Sequence, residues 1–225
     1  MRGFVVGRPR SLTDVGPVLE RFDGWIAGAA FASGDRFVVG RWPRSPFGPF
    51  ADVMWARPDG TRVLIAPDER ILGFVGAHYS FEVHTIAPVE VAVSPRRVRA
   101  TTPELELVLE LDRPGPISEL LALRPRRLRM MPGWIAVEDA ILRPIVGPLL
   151  GGGSGIRARG RTRVGAREWY AIHALRTARA RATLEGNDLG PAVLARPCGF
   201  GFSEFPPMPA AVRVTSQIEV TPGRD

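Results

Sequence analysis

From Glu104 to Leu111 the side chains alternate, with Leu105, Leu107, Leu109 and Leu111 on one parity and Glu104, Glu106, Val108 and Glu110 on the other. A period of two suits an extended strand with one face on a core and the other toward water. Sheets wetted on one side are antiparallel as a rule, because parallel strands are covered on both faces by their crossover helices. This segment therefore predicts an antiparallel sheet, and together with the helical patterns elsewhere an α+β chain.

Those patterns are local. Ser11 and Asp14 resemble a capping box, and Leu12, Val15, Leu19 and Phe22 follow at helical spacing, predicting a short N-terminal helix that Pro17 weakens. Strands at 50–56 and 61–66 joined by Pro58-Asp59-Gly60 read as a hairpin. Pro67, Asp68 and Glu69 suit the first turn of a helix over 67–77. Strands are expected at 80–86, 88–93 and 96–102. Residues 116–147 form a separate helical block, with Ile117, Leu120, Leu121 and Leu128 before the Pro132-Gly133 break and Trp134, Val137, Ile141 and Ile145 after it. After Gly151-Gly152-Gly153-Ser154-Gly155, strands are expected at 156–164, 168–175, 178–185, 192–205 and 211–220. The reading is one domain over 1–225 with a helical insertion at about 116–147. A split at the glycine run is the alternative, but its C-terminal part would be a small sheet with nothing to cover it.

Composition closes several chemistries. Lysine and arginine together number 30, and every one is arginine. A chain without lysine forms no imine with a carbonyl substrate, anchors no pyridoxal phosphate and carries no Walker-type phosphate loop. Cys198 is the sole cysteine, so an intrachain disulfide and a multi-thiolate zinc site are excluded. No cofactor is expected. Gly153, Gly155 and Ala158 match the spacing of a dinucleotide fingerprint, but a helix leads in and a strand follows, the reverse of what that fingerprint needs. Met1 to Arg10 lacks the apolar stretch of a signal peptide and no window reaches the length of a membrane span, so a cytoplasmic location is expected.

The net charge of +7 raises nucleic acid and anionic membranes as partners. Arg157, Arg159, Arg161 and Arg163, spaced by two, would project from one strand face as an anion-binding stripe, which Arg179 and Arg181 could widen. Only Trp169 and Tyr170 stand nearby as stacking aromatics, so an exposed polar strand face explains the spacing better. Arg124, Arg126, Arg127 and Arg129 beside Met130, Met131 and Trp134 could meet a lipid surface, though a helix packed on the sheet gives the same pattern. Nucleic acid and membrane are accordingly disfavoured as partners, and a small-molecule ligand is favoured. A homodimer is compatible with the composition.

Candidate catalytic residues are few. Glu82 and His84 would share a strand face, so that the carboxylate could orient the imidazole. His78 and His173 stand apart from them in sequence, and no metal site is expected. Glu204 lies in Gly199-Phe200-Gly201-Phe202-Ser203-Glu204-Phe205-Pro206-Pro207-Met208, where inward burial would raise its pKa and make it an acid or base. Cys198 is expected to be structural.

Ser45-Pro46-Phe47-Gly48-Pro49-Phe50-Ala51-Asp52, continued by Val53-Met54-Trp55, resembles the Gly-Pro-aromatic-x-acid segment of acetoacetate decarboxylase-like proteins. The next ~50 residues keep a similar order: a hairpin, the Ala66-Pro67-Asp68 helix start, Gly76 near the helix end and Phe81 opening a strand. The resemblance covers about a quarter of the chain. It implies a curved antiparallel β-sheet, or a barrel or cone, with the helical insertion packed against it and a pocket that the matching acid, Asp52, faces. Phe50, Trp55 and Phe202 are the expected apolar contacts of a ligand there. The family's reactive lysine has no counterpart; Glu82, Val83 and His84 stand near its place. The resemblance thus implies a binding pocket for an organic acid or an apolar ligand without Schiff-base chemistry. Two alternatives stand beside it: general acid–base catalysis by Asp52, Glu82, His84 or Glu204, and an electrostatic binder acting through the arginine stripe.

Overall fold

The computed structural model describes residues 17–123, 131, 133–135, 140 and 155–220. Of the expected second helix of the block only 133–135 and 140 are described, and they are helical; its remaining residues, the arginines at 124–129 and the glycine run up to Ser154 lie outside the described residues.

The pairing is antiparallel almost throughout. The first four strands, β1 (Val18–Phe31), β2 (Arg36–Arg44), β3 (Phe50–Ala56) and β4 (Arg62–Ala66), form a meander, and helix α1 (Glu69–His78) leads to β5 (Val83–Ile86), which pairs with β4 in the one parallel contact. Next come β6 (Glu90–Ser94), β7 (Arg97–Thr101), β8 (Leu105–Leu111) and α2 (Pro116–Ala122). After the insertion follow β9 (Arg159–Arg161), β10 (Arg167–Leu184), β11 (Asn187–Asp188), β12 (Ala192–Val193) and β13 (Ala210–Val220). The sheet order is β5-β4-β3-β2-β1-β13-β10-β8-β7-β6, with β9 and β11 on β10 and β12 on β1. Strands from both sides of the insertion thus share one sheet. Its two ends stay unpaired, so it is a curved open sheet and not a closed barrel.

Local chemistry explains the elements that the sequence announces. The β3–β4 turn closes through Arg57 N–H to Thr61 O at 2.9 Å and Thr61 N–H to Asp59 Oδ1 at 2.8 Å, with Gly60 at φ 88°, a left-handed value glycine adopts without strain. Asp68 caps α1 by accepting from Ile71 N–H at 2.8 Å, and Ile71 and Val75 then bury against Leu64 and Ala66 of β4.

Three expectations are corrected. Residues 18–22 belong to β1, where they pair with β13, so the helical spacing of Leu19 and Phe22 is overridden by ladder bonds; residues 11–16 lie outside the described residues. The strands expected at 168–175 and 178–185 are one continuous strand, β10. The polar Arg176 and Thr177 that suggest a break instead bond Asp112, with Nε to its carbonyl at 2.7 Å and Oγ1 to its carboxylate at 2.8 Å. The strand expected at 192–205 shrinks to β12, because Pro197, Pro206 and Pro207 withhold ladder donors and the segment is needed elsewhere as a wall.

Curvature comes from register shifts between Asp23 and Trp25 of β1 and between Ile172 and Ala174 of β10. Bulges of this kind bend a strand and raise its twist. At Gly24 a Cβ would stand 2.0 Å from the Arg41 carbonyl oxygen, so only glycine permits the close approach at the β1 bend. The bend folds β6–β8 over β2–β4. Val98, Leu107 and Leu109 there share a core with Phe37, Val53 and Trp55. Among the described residues no helix is long and apolar enough to cross a membrane.

Leu107 is 0% exposed in that core while Glu106, on the other parity, is exposed and pairs with half-exposed Arg99. Urea unfolding should show Leu107→Ala costing about 2 to 5 kcal/mol through lost transfer energy and the cavity left behind. Glu106→Ala should change stability little, since exposed ion pairs contribute little.

Candidate functional site

The same alternation that fills the core leaves the opposite sheet face to line a cavity of about 170 Å³. On β3, Val53 and Trp55 turn to the core whereas Phe50, Asp52 and Met54 turn to the cavity. Val38 and Trp42 of β2, Tyr170 and Ile172 of β10, and Val214 and Ser216 of β13 follow the same parity. Phe74, Val75 and Tyr79 from the end of α1, and Phe200 and Phe205 from the loop before β13, close the remaining sides. The lining is mostly apolar, and apart from Arg157, Ser203 and Glu204 its polar side chains fall into two groups.

Asp52 is the first. It is 2% exposed and its Oδ1 accepts one hydrogen bond from Trp42 Nε1 at 3.0 Å. Its strand partner is Gly40, where a Cβ would lie 2.4 Å from Oδ1 and 2.6 Å from Trp42 Nε1. Glycine therefore makes the space in which carboxyl and indole meet. Burial pushes the Asp52 carboxyl from 3.8 up to about 6, with the Trp42 bond opposing in part.

The second group centres on Glu168 of β10, 0% exposed. Its Oε1 accepts from Tyr79 Oη at 2.6 Å and Ser216 Oγ at 2.9 Å, and Tyr79 Oη lies 3.0 Å from Tyr170 Oη. Burial pushes this carboxyl up to about 7, and the three hydroxyls oppose that rise. Both phenols are held well above 10, by burial first and then by the adjacent Glu168. Tyr79, Tyr170 and Ser216 line the cavity with Glu168 behind them. Phe202 stacks on Tyr170 at 5.3 Å, and a Cβ at Gly160 would fall 2.2 Å from the Phe202 ring.

Glu204 also turns inward and lines the cavity, but its oxygens are occupied. Arg36, itself 5% exposed, donates to Oε2 at 3.0 Å, and the Gly199 backbone N–H donates to Oε1 at 2.8 Å. The same guanidinium donates to the carbonyls of Arg196 at 2.7 Å and Phe205 at 2.8 Å. This ion pair is a clip that fastens the 196–205 loop to β2, so the candidate acid or base Glu204 faces the cavity with its carboxylate already engaged. Burial, the largest cause, lifts the Cys198 thiol beside it to about 11, which suits a structural cysteine.

The structure brings Phe50, Asp52, Glu204 and Arg157 to the cavity and leaves the other expected residues outside its lining. Trp55 faces the core and donates to Asp35 Oδ1 at 2.8 Å. His84 pairs in register with Leu64 on β5 but is exposed beside Gly76 of α1, where a Cβ would lie 2.8 Å from its Nε2. Glu82 precedes β5 and does not orient His84; Arg62 takes its carboxylate, and those hydrogen bonds hold it down at about 2. Arg157, Arg159, Arg161 and Arg163 are all exposed, with Ile156, Ala158 and Gly160 half-buried and Thr162 buried between them. Arg161 bonds the Gly165 carbonyl at 2.8 Å and Arg163 the Gly76 carbonyl at 3.2 Å. His78 is buried with Nδ1 2.8 Å from the Phe74 carbonyl, and His173 Nε2 is 2.9 Å from Thr215 Oγ1. Among the described residues no three potential metal ligands cluster.

Sequence reasoning missed Glu168, Tyr79, Tyr170, Ser216 and Trp42. One signal was present: Glu168, Tyr170 and Ile172 share a parity, which sets a carboxyl on an otherwise apolar strand face.

No family model matches the sequence, and no curated protein matches it. Among solved structures the chain is similar to an acetoacetate decarboxylase, with a TM-score of 0.50 and 9% identity over 93% of this chain and 89% of that one. An acetoacetate decarboxylase from Legionella pneumophila matches at a TM-score of 0.43 and 11% identity, covering 96% and 91%. A protein described as a putative AttH from Nitrosomonas europaea matches at 0.31 and 11%, covering 98% of this chain and 58% of that one. At such identities the first likeness shows the fold alone: an acetoacetate decarboxylase-like α+β fold built on a curved sheet.

Two stability measurements test the site. Asp52 carries a folded pKa raised from 3.8 to about 6, so its contribution is full below pH 3.8 and is lost as pH rises through 6. Asp52→Asn keeps an acceptor for Trp42 and removes the ionisation. Between pH 4 and pH 8 its stability in urea should gain about 3 kcal/mol on the wild type, two pKa units at about 1.4 kcal/mol each. Glu204→Ala strands a buried guanidinium and should cost about 3 to 5 kcal/mol by the same assay, whereas Glu82→Ala, at an exposed pair, should be close to silent.

Proposed function

We propose that the chain is a binding protein for a small, uncharged and largely apolar organic molecule, held in the cavity between β1–β3, β10, β13 and α1. The observation that supports this best is the lining itself. A dry cavity of about 150 Å³ accepts a benzene-sized body, and this one, at about 170 Å³, is walled mainly by aromatic and aliphatic side chains with few polar groups among them. Among the described residues Arg157, itself exposed, is the only arginine in the lining, while Asp52 and Glu204 in the lining and Glu168 behind it supply three carboxyls. That balance disfavours an anionic occupant, since a second carboxylate would add like charge in a medium that screens it poorly. Imine formation plays no part, because these 225 residues contain no lysine.

Calorimetric titration with ethylbenzene, benzoate and benzylamine separates the cases by charge at nearly constant size. Ethylbenzene should bind and benzoate should bind more weakly at pH 8. Met54→Trp, which fills the cavity from β3, should abolish ethylbenzene binding while leaving the fold intact. Tighter binding of benzoate than of ethylbenzene would reassign the site to organic acids held by Arg157, and no saturable binding of any of them would overturn the reading.

General acid–base catalysis in the same cavity is the second reading, and one observation favours it: two carboxyls held near neutrality on one sheet face. It predicts exchange of ketone α-protons with deuterated water, followed by NMR, which Asp52→Asn abolishes.

A further inference from the structure

The hydrogen bonds around Glu168 admit two arrangements. Tyr79 and Ser216 both address Oε1, whereas Oε2 is buried with no partner among the described residues. Each phenol has a single proton to give. When Glu168 is a carboxylate, Tyr79 donates to Oε1, so Tyr79 has no proton left for the 3.0 Å contact between the phenols, and Tyr170 turns its own proton inward, to Tyr79 or to the carboxylate. Tyr170 then offers the cavity only lone pairs. When Glu168 carries its proton on Oε1, it donates to the Tyr79 oxygen, Tyr79 donates to Tyr170, and the Tyr170 proton is free to turn toward the cavity. Ser216 keeps Oε1 bonded in both arrangements.

We propose that Glu168, Tyr79 and Tyr170 form a reversible hydrogen-bond relay that sets the polar preference of the cavity, so that with Glu168 protonated the Tyr170 hydroxyl binds the oxygen of a small apolar carbonyl compound. This deepens the binding reading above and rests on it. No bond to carbon is made or broken; one proton added at Oε1 reverses two phenolic hydrogen bonds. The surroundings leave Glu168 to act alone. Tyr79 at the end of α1, Tyr170 on β10 itself and Ser216 on β13 are the polar groups that face it, while Ile218 of β13 and Gly160 of β9 are its strand partners. Among the described residues it makes no ion pair, so no neighbouring charge pins it in one state. The other carboxyls in the cavity lining are Glu204, ion-paired with Arg36, and Asp52, which the test must separate.

The test is titration of the full chain with acetophenone, which only accepts a hydrogen bond, and with ethylbenzene, its apolar counterpart. From pH 8 to pH 6 the Kd for acetophenone should fall about tenfold, following the fraction of protonated Glu168, and that for ethylbenzene should stay constant. The pH response should persist in Asp52→Asn and vanish in Glu168→Gln. Tyr170→Phe should bring acetophenone to the affinity of ethylbenzene at every pH. Should Glu168→Gln fail to fold, Tyr79→Phe interrupts the relay with the carboxyl in place and should likewise abolish the pH response. Ethylbenzene binding with pH-independent acetophenone binding would overturn the relay and leave the cavity reading standing. A pH response lost in Asp52→Asn and kept in Glu168→Gln would overturn it in favour of Asp52. No binding of either probe would overturn both.

Discussion

The architecture depends on one strand having two sets of partners. From Glu168 to Thr177, β10 pairs with β13, and from Ala178 to Leu184 it pairs with β8. Every backbone group of a buried strand needs a partner, so this division joins the meander of β1–β4 to the separate ladder of β6–β8. The transfer occurs where Arg176 and Thr177 grip Asp112, and the bulge at Ile172 and Ala174 lies just before it. Without that bend β8 could not swing over β3, and the core shared by Leu107, Val53 and Trp55 would open to water.

Once the sheet is bent, the alternation of side chains assigns roles. One face supplies a dense core, and the other a cavity in which polar groups are rare and charged ones rarer. Low polarity there has a single electrostatic consequence expressed twice: the carboxyls of Asp52 and Glu168 both resist ionisation, one against an indole and the other against three hydroxyls. They differ in connection. Asp52 has one donor and meets the cavity directly, whereas Glu168 reaches it through the hydroxyls of Tyr79, Tyr170 and Ser216.

What was legible in the sequence was local. The 50–66 hairpin, the helix beginning at Asp68 and the strand at 105–111 each carry their signal within a dozen residues, and the structure has all three. The Gly48-Pro49-Phe50-Ala51-Asp52 segment pointed to the fold, and Asp52 does line the cavity. What was not legible depends on distance along the chain. Tyr79 and Glu168 are 89 residues apart, and Arg36 and Glu204 are 168 apart, so no spacing rule joins them. His84 stood near in sequence yet falls outside the lining, because β5 is the last strand of its edge and carries the imidazole past the cavity. Leu19 and Phe22 misled for a related reason: the ladder with β13, about 200 residues away in sequence, outweighs a preference that is worth well under about 1 kcal/mol per residue.

The Arg36 clip has a kinetic side. Its bonds reach the Arg196 carbonyl, the Glu204 carboxylate and the Phe205 carbonyl, so one buried guanidinium holds both ends of the loop that closes the cavity. The middle of the loop is tied as well, by Arg62 to the Gly199 carbonyl at 2.7 Å, Ser80 N–H to the Phe200 carbonyl at 2.7 Å and Glu204 N–H to the Gly155 carbonyl at 2.9 Å. A path into the cavity beneath this loop would have to release several of these bonds together with the ion pair, so exchange of an occupant by that path would be slow and steeply dependent on temperature.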